Sequence, residues 1–208
     1  MTLSEDQVVR YSRHILLSAL GGKGQERLLA TGVTLTGQGA AQAVAAAYLA
    51  ASGLKVSAKG RPVAPEETGF LLAADDVGRP LEAMMRAALL DANPDALGQP
   101  SEVGALGELP AGFSGTGPWV ALGWSGNRGG LVYRGRDGCA ACFERTAGAL
   151  SNGPAGASAV LLGALGALAF ERLALGLSQP LGGLWLSETG EVEPMDLDRC
   201  ASHGQTGR

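Results

Sequence analysis

The sequence predicts an α/β fold with a doubly wound, mostly parallel sheet and helices on both of its faces. The first observation behind this prediction is a strand, a glycine turn, a helix and a second strand that follow one another in residues 31–58. The second is a long apolar helix in the C-terminal half, with strand patterns before and after it. A strand–turn–helix–strand unit is how a parallel sheet with crossover helices begins. At 208 residues, the chain fits one domain over 1–208.

The N-terminal region is predicted to be helical. Ser4 and Gln7 form a capping-box pattern, in which the Ser4 hydroxyl accepts a hydrogen bond from the amide at the third helical position. This first helix is expected to end at Gly21–Gly22, because glycine commonly follows the last turn of a helix. A short second helix is predicted over Gln25–Leu29.

The first strand and the glycine turn come next. Thr31–Thr36 alternates apolar and polar residues, which is typical of a strand, and leads directly into Gly37-Gln-Gly39. The alanine-rich segment 40–52 is predicted to be a helix that Gly53 closes. A second strand is expected over Leu54–Ala58.

The remaining chain is predicted to alternate loops, helices and strands. Residues 60–77 are expected to be a loop, and the apolar spacing in Pro80–Ala92 predicts a helix that Pro94 ends. The Gly- and Pro-rich stretch Asp95–Gly117 is predicted to be mostly irregular. The further predicted elements are strands at Pro118–Leu122 and Leu131–Arg134, a helix at Ala155–Leu175, and closing strands near Leu184–Ser187 and Val192–Leu197.

Composition limits the possible function classes. A net charge of -4 without a basic cluster argues against a nucleic-acid or membrane-surface partner, because both need concentrated positive charge. The acidic start MTLSEDQ is not a secretory signal. The apolar run Gly156–Phe170 is shorter than the ~20 residues of a membrane span. We therefore expect a cytoplasmic protein with no membrane segment.

All three cysteines and one of the two histidines form two pairs of equal spacing. The pairs are Cys139-Ala-Ala-Cys142 and Cys200-Ala-Ser-His203. A two-residue gap lets both side chains of a knuckle reach one ion, and tetrahedral zinc accepts three thiolates and one imidazole. The alternatives are free thiols or a thioredoxin-like motif, which needs a helix N-terminus directly after a strand. The spacing favours a structural zinc knuckle near the C-terminus, with no open position for catalysis.

Several sequence blocks, in this order along the chain, resemble the ThiF/MoeB/HesA family of ubiquitin-activating-enzyme-like adenylyltransferases. The blocks are RYSRHILL with GGKGQERLL, VTLTGQGAAQAVAAAYLAASGL, DVGRP with NPD, GWSGNRGGLVY with GCAACF, and PLGG with CASHG. They span nearly the whole chain. The resemblance implies a Rossmann-like fold with dimerisation helices in 1–30, a nucleotide-binding half in 31–95 and a C-terminal half in 118–208 that carries the zinc site. It also implies CxxC at both zinc positions in relatives, with His203 replacing the fourth thiolate here.

The residues with which the family holds ATP are largely missing from this chain. Gly37 and Gly39 remain as a vestigial nucleotide turn, but Gln42 stands in place of the third glycine. Leu81 stands where the resemblance implies a lysine that reaches the phosphates. Each lost charged contact removes ~1.5–3 kcal/mol of binding.

Other parts of the family's nucleotide site are altered too. Lys59-Gly60-Arg61 replaces the ribose-binding aspartates, and the acidic Glu66–Glu67 replaces an Asn/Arg pair that contacts the phosphates. The strand and loop of the magnesium-binding aspartate are expected to be deleted near 98–117. Lys59, Arg61 or Arg79 could compensate, but the simpler interpretation is solvated loop charges. We therefore expect no Mg–ATP binding and no catalytic residue.

Arg13 is the one phosphate-contacting residue of the family that this chain retains. In relatives, the second arginine of the RYSR helix reaches the nucleotide of the partner protomer. The hypothesis is that Arg13 acts in trans on an active paralogue, as arginine fingers do. The alternative is an exposed helix arginine without a function.

The sequence thus predicts a catalytically inactive, zinc-stabilised member of this family. Its expected partners are a second copy or an active paralogue, and a ubiquitin-like sulfur-carrier protein of the ThiS/MoaD type. One alternative is a diverged but active ATP-dependent adenylyltransferase. The other is a structural subunit of an assembly.

Overall fold

The computed structural model describes residues 2–58, 60–109, 117–151, 153, 156–198, 200 and 202. The helices are α1 (Glu5–Arg10), α2 (Ser12–Ile15), α3 (Gly21–Ala30), α4 (Ala40–Ala51), α5 (Leu81–Ala92), α6 (Ala140–Ala147) and α7 (Ala157–Leu175). The strands are β1 (Thr31–Thr36), β2 (Lys55–Ala58), β3 (Glu102–Gly107), β4 (Trp119–Ser125), β5 (Arg128–Arg134), β6 (Leu181–Leu186) and β7 (Val192–Pro194). Short 3₁₀ turns lie at Pro65–Glu67, Ala74–Asp76 and Pro94–Ala96.

The described strands form one seven-stranded sheet in the order β2-β1-β3-β4-β5-β6-β7. The pairings from β2 to β4 are parallel, and those from β4 to β7 are antiparallel. The sheet is therefore mixed rather than mostly parallel. The physical reason is the length of the connections, because the tight turn between Ser125 and Arg128 can join only antiparallel neighbours.

Helices pack on both faces of the sheet. The larger core lies between the sheet and α4, α5 and α7, and it includes Val33, Leu122 and Phe170. On the opposite face, Phe143 of α6 packs with residues of β4 and β5 such as Trp119. The predicted placement of helices on both faces is confirmed for the part of the sheet that α6 covers.

α7 lies at the centre of the larger core. By length and composition it is the one described helix that could cross a membrane. It packs instead against α4, β4 and β5, with Leu162 and Phe170 fully buried. Gly163 permits this packing, because a Cβ at that position would overlap the carbonyl oxygen of Ala41. These are the contacts of a core helix.

The structure corrects the prediction of irregular structure over Asp95–Gly117. β3 lies within that range and pairs in parallel with both β1 and β4. Gly104 is required for packing and does not indicate a loop, because a Cβ at this position would come within 2.7 Å of the Phe170 ring. The expected deletion near 98–117 is therefore wrong for the strand itself.

The N-terminal prediction also needs a correction. The capping box at Ser4 and Gln7 is confirmed, but the expected single helix is divided into α1 and α2 at Tyr11. Gly21 begins α3 instead of ending the previous helix. At Tyr11 the backbone leaves helical geometry, with φ of -101° and ψ of 17°, and the Tyr11 side chain is buried, with 2 % of its surface exposed.

Candidate functional site

The glycine turn lies at the carboxyl end of β1, where α4 begins. Gly37 and Gly39 both have positive φ angles, 71° and 127°, which favour glycine. From β1 the chain winds to β2 on one side and later to β3 on the other, so the turn lies at the point where the strand order reverses. In open α/β sheets this is the place where ligands bind, with anions at the helix N-terminus.

The cavity directly at this turn is small. It has a volume of about 10 Å³ and is lined by residues 38–42, Leu122, Gly123, Trp124, Gly153 and Ala159. Ligand pockets typically measure ~300–1,000 Å³, whereas this space holds about one water molecule. Trp124 is one of the lining residues, and its indole packs so closely on Gly153 that any side chain at that position would overlap the ring. The glycine turn is thus present, and little space is left directly beside it.

A carboxylate lies on the glycine turn itself. Glu108 follows β3, and a Cβ on Gly37 would overlap its carboxyl group. The amide of Gln38 donates to Oε1 of Glu108 over 3.4 Å. The strand end is fixed because the backbone amide of Glu108 donates to the Thr36 carbonyl at 3.2 Å. A negative side chain at this position repels phosphate groups.

Arg61 forms an ion pair with Glu67 beside the same turn. Its Nε donates to the carbonyl of Gly37 at 2.9 Å. Its two terminal nitrogens bind both carboxylate oxygens of Glu67 at 2.5 and 2.6 Å. Glu67 is 3 % exposed and also accepts from the Ala64 amide at 2.9 Å. The interpretation of Arg61 as a solvated loop charge is therefore wrong.

The other predicted substitutions lie near this turn or in the core. Gln42 is 4 % exposed, and its Oε1 lies beside Gly39. Leu81 is 2 % exposed within the larger core, so this position offers no charge to a phosphate. Arg79 forms an exposed ion pair with Asp76 at 3.0 Å. Lys59 lies outside the described residues.

The three cysteines form one cluster. The sulfur atoms of Cys139, Cys142 and Cys200 all lie within 4.8 Å of one another, and the sulfurs of Cys139 and Cys200 are 3.7 Å apart. The backbone amide of Cys200 donates to the sulfur of Cys142 at 3.3 Å. This hydrogen bond from the Cys200 amide stabilises the thiolate of Cys142 and lowers its pKa. Burial and the sulfurs of Cys139 and Cys200 act in the opposite direction, and together they raise the pKa of Cys142 above its usual value. His203 lies outside the described residues.

The cluster has the donor set of a thiophilic metal site. Three converging sulfurs suit zinc, and a fourth ligand would complete a tetrahedron. Cys139 is the N-cap of α6, which places the CxxC pair at a helix N-terminus soon after β5. A thioredoxin-like motif requires a helix N-terminus directly after a strand, and the position of Cys139 partly meets this requirement. The sequence had favoured a zinc knuckle at this position. The third sulfur, from Cys200, distinguishes the cluster from a two-cysteine redox pair.

Arg13 is exposed on α2, at the end of the sheet opposite the glycine turn. Tyr11 fixes this region near the start of β2, since a Cβ on Gly53 would lie 2.6 Å from the Tyr11 hydroxyl. Within the described part of the chain, no hydrogen bond or ion pair of Arg13 is seen. Arg13 therefore lies away from the Gly37 turn of its own chain.

Arg10, rather than Arg13, has a defined partner. Its guanidinium forms an ion pair with Asp95, and the Tyr11 hydroxyl donates to Asp95 at 3.1 Å. Asn93 donates to Tyr11 at 3.0 Å and to the Ala50 carbonyl at 2.7 Å. Burial would raise the pKa of Asp95, but hydrogen bonds from Gln7, Tyr11 and Arg10 outweigh it and lower that pKa. The NPD block is visible in the sequence, but the network is not, because its other members are distant from that block along the chain.

No protein-family model matches the chain. It is 37 % identical over 108 residues to the SAMP-activating enzyme E1 of Haloferax volcanii, which covers 49 % of this chain and 40 % of that enzyme. It is 48 % identical over 52 residues to the mouse adenylyltransferase and sulfurtransferase MOCS3, which covers 25 % of this chain and 11 % of that protein. The chain thus spans less than half of each of these relatives.

Solved structures share the fold over almost the whole chain. E. coli MccB with ATP superposes with a TM-score of 0.67 at 16 % identity, over 95 % of this chain and 73 % of MccB. PaaA superposes with a TM-score of 0.68 at 17 % identity, over 94 % of this chain and 75 % of PaaA. At this identity the superpositions show the fold alone. The two sequence relatives and the shared fold support the resemblance to the ThiF/MoeB/HesA family that the sequence indicates.

Proposed function

We propose that this chain is a catalytically inactive member of the ThiF/MoeB/HesA family, which supports an active adenylyltransferase or a ubiquitin-like sulfur-carrier protein as a binding partner. The observation that carries the proposal is the filled turn. A nucleotide would need space and positive charge at this turn. The turn instead offers a cavity of only about 10 Å³ and the negative carboxylate of Glu108. Arg61 cannot substitute for the missing cations, because Glu67 binds it through two hydrogen bonds.

Isothermal titration of the purified chain with Mg–ATP tests this proposal. We expect no saturable heat at millimolar nucleotide. Saturable binding in the micromolar range would refute it. Any change of the Gly37 turn that admits ATP would have to separate Glu108 from it and move the buried Trp124.

The partner part of the proposal rests on the relatives. One carries the name SAMP-activating enzyme E1 and the other the name adenylyltransferase and sulfurtransferase. A carrier protein or an active paralogue in the cytoplasm is therefore the proposed partner class. The exposed Arg13 at one end of the sheet is the group through which this chain would stabilise a nucleotide held by an active paralogue. If so, Arg13→Ala would reduce the turnover of the mixed enzyme, whereas Lys23→Ala on α3 would not.

The proposed cofactor is one structural zinc ion on Cys139, Cys142, Cys200 and His203. The ion would join the start of α6 to the C-terminus and supply no reaction chemistry. A structural zinc site contributes on the order of 10 kcal/mol of apparent stability. The three sulfurs within 4.8 Å support this assignment.

One observation favours a second candidate, a diverged but active adenylyltransferase. Glu108 places a carboxylate at the carboxyl end of β3, beside the glycine turn. A carboxylate in such a position can hold a magnesium ion that carries phosphates. The two candidates differ in the titration, since only the active enzyme would bind Mg–ATP and lose that binding in Glu108→Gln.

A further inference from the structure

Arg134, the last residue of β5, is a buried cation. Its residue surface is 4 % exposed, and it is the one buried arginine in the part of the chain that the structure describes. One of its terminal nitrogens donates to the carbonyl of Gly117 at 3.2 Å. Burial lowers the pKa of Arg134, and the negative charges of Glu144 and Cys139 oppose that effect. A guanidinium stays charged in a protein, so its burial is tolerated only where such negative groups lie nearby.

The side chain of Arg134 packs against both residues that flank the CxxC pair. Gly138 directly precedes Cys139, and Phe143 directly follows Cys142. A Cβ on Gly138 would lie 2.6 Å from the Cγ atom of Arg134. The guanidinium carbon lies 5.8 Å from the centre of the Phe143 ring, within the distance at which an aromatic face attracts a cation. These two contacts place the positive charge of Arg134 beside the cysteine cluster.

The cysteine cluster would carry an excess of negative charge when it holds zinc. Cysteine binds a metal as the thiolate, so three thiolates and a neutral imidazole leave one net negative charge around a divalent ion. Water screens this charge poorly, because Cys142 and Cys200 are 0 % and 6 % exposed. A buried negative charge is costly unless a cation compensates it. The attraction is mutual, so the charge of Cys139 that favours the charged form of Arg134 is itself stabilised by Arg134.

We propose that Arg134 is the counter-ion of the cysteine cluster, whose guanidinium compensates the excess negative charge of the bound zinc site and so raises its affinity for the ion. Arg134 is thus a positioning residue and not a metal ligand. The inference rests on the zinc ion of the proposed function, and it is independent of nucleotide binding. The competing explanation is that Arg134 only fills space beneath α6, and the experiment has to separate its charge from its packing.

The zinc affinity of the full chain, measured in competition with a chromophoric chelator, tests the role of the charge. Arg134→Gln removes the charge and keeps an amide that can donate to the Gly117 carbonyl. We expect it to bind zinc roughly 10–100-fold more weakly, the usual cost of removing a group that supports metal ligands. Arg134→Lys restores the charge and should recover most of that loss. Arg136→Gln is the matched control, because Arg136 is exposed and forms its ion pair with Glu102. It should keep the wild-type affinity.

Each result decides for or against the counter-ion. An unchanged zinc affinity in Arg134→Gln would overturn it, and so would an Arg134→Lys variant that binds as weakly as Arg134→Gln. Arg134→Met keeps much of the apolar stem and is a second neutral variant, which should show the same loss. Far-UV circular dichroism of the zinc-loaded variants checks that they are folded. A wild type that binds no zinc would overturn the zinc assignment together with this inference, whereas a zinc-binding wild type matched by Arg134→Gln would overturn this inference alone.

Discussion

The carboxylate of Glu108 lies on the backbone of Gly37, at the carboxyl end of β1, where open α/β sheets commonly bind ligands. The two residues end neighbouring parallel strands, β3 and β1, and the hydrogen bond from the Gln38 amide to Glu108 joins them. The carboxylate of the chain's own Glu108 therefore accepts the backbone hydrogen bond that an anionic ligand would otherwise accept. The filled turn, and the function proposed from it, depend on this relationship.

The buried ion pair between Arg61 and Glu67 should be essential for the stability of the loop beside the turn. Arg61→Ala leaves the Glu67 carboxylate buried without its cation, and we expect a loss of about 3–5 kcal/mol of unfolding free energy. Urea denaturation measures the change. The matched control is Arg79→Ala, which removes an exposed pair with Asp76 and should cost at most about 1 kcal/mol. Equal losses in the two variants would show that Arg61 does not stabilise the turn.

The cysteine cluster should bind one zinc ion per chain. Elemental analysis should find that ion in the wild type and lose it in Cys142→Ser, and a chelator should lower the melting temperature of the wild type. His203→Ala should weaken zinc affinity while three thiolates still hold the ion. His14→Ala, at the only other histidine, is the control and should bind zinc normally. A wild type that folds fully with no bound metal would contradict the assignment.

Asp95 should make stability depend on pH. Its folded-state pKa lies below the unfolded value of 3.8. The carboxylate therefore stabilises the fold above the unfolded pKa, and this contribution is lost as the pH falls through the folded pKa. Asp95→Asn should cost about 1–3 kcal/mol at neutral pH and much less near pH 2, in chemical denaturation at several pH values. Asp91→Asn, at an exposed carboxylate on α5, serves as the control. A cost of Asp95→Asn that stays constant with pH would show that the charge of Asp95 does not matter.

The sequence was sufficient to predict the local elements with clear periodicity. β1, the glycine turn and α4 follow from alternation, positive-φ glycines and an alanine-rich run. The cysteine cluster was predictable from equal spacing, because two knuckles of the same form suit one ion. These features depend on residues that are close in sequence.

The sequence was not sufficient where tertiary contacts determine the structure. β3 was missed because Gly104 is required by the Phe170 ring and not by a turn. The contact of Tyr11 with Asn93 was missed because the two residues are more than eighty positions apart in the sequence. The position of Glu108 on Gly37 could not be predicted, since it depends on the register of two strands that are distant in sequence.

The most direct test of the filled turn is a crystal of this chain soaked with Mg–ATP. We predict that Glu108 stays on the Gly37 backbone, that Trp124 keeps its place beside Gly153, and that no ordered phosphate lies near the turn. Ordered density for all three phosphates at the Gly37 turn, with Glu108 displaced or bound to magnesium, would contradict the account.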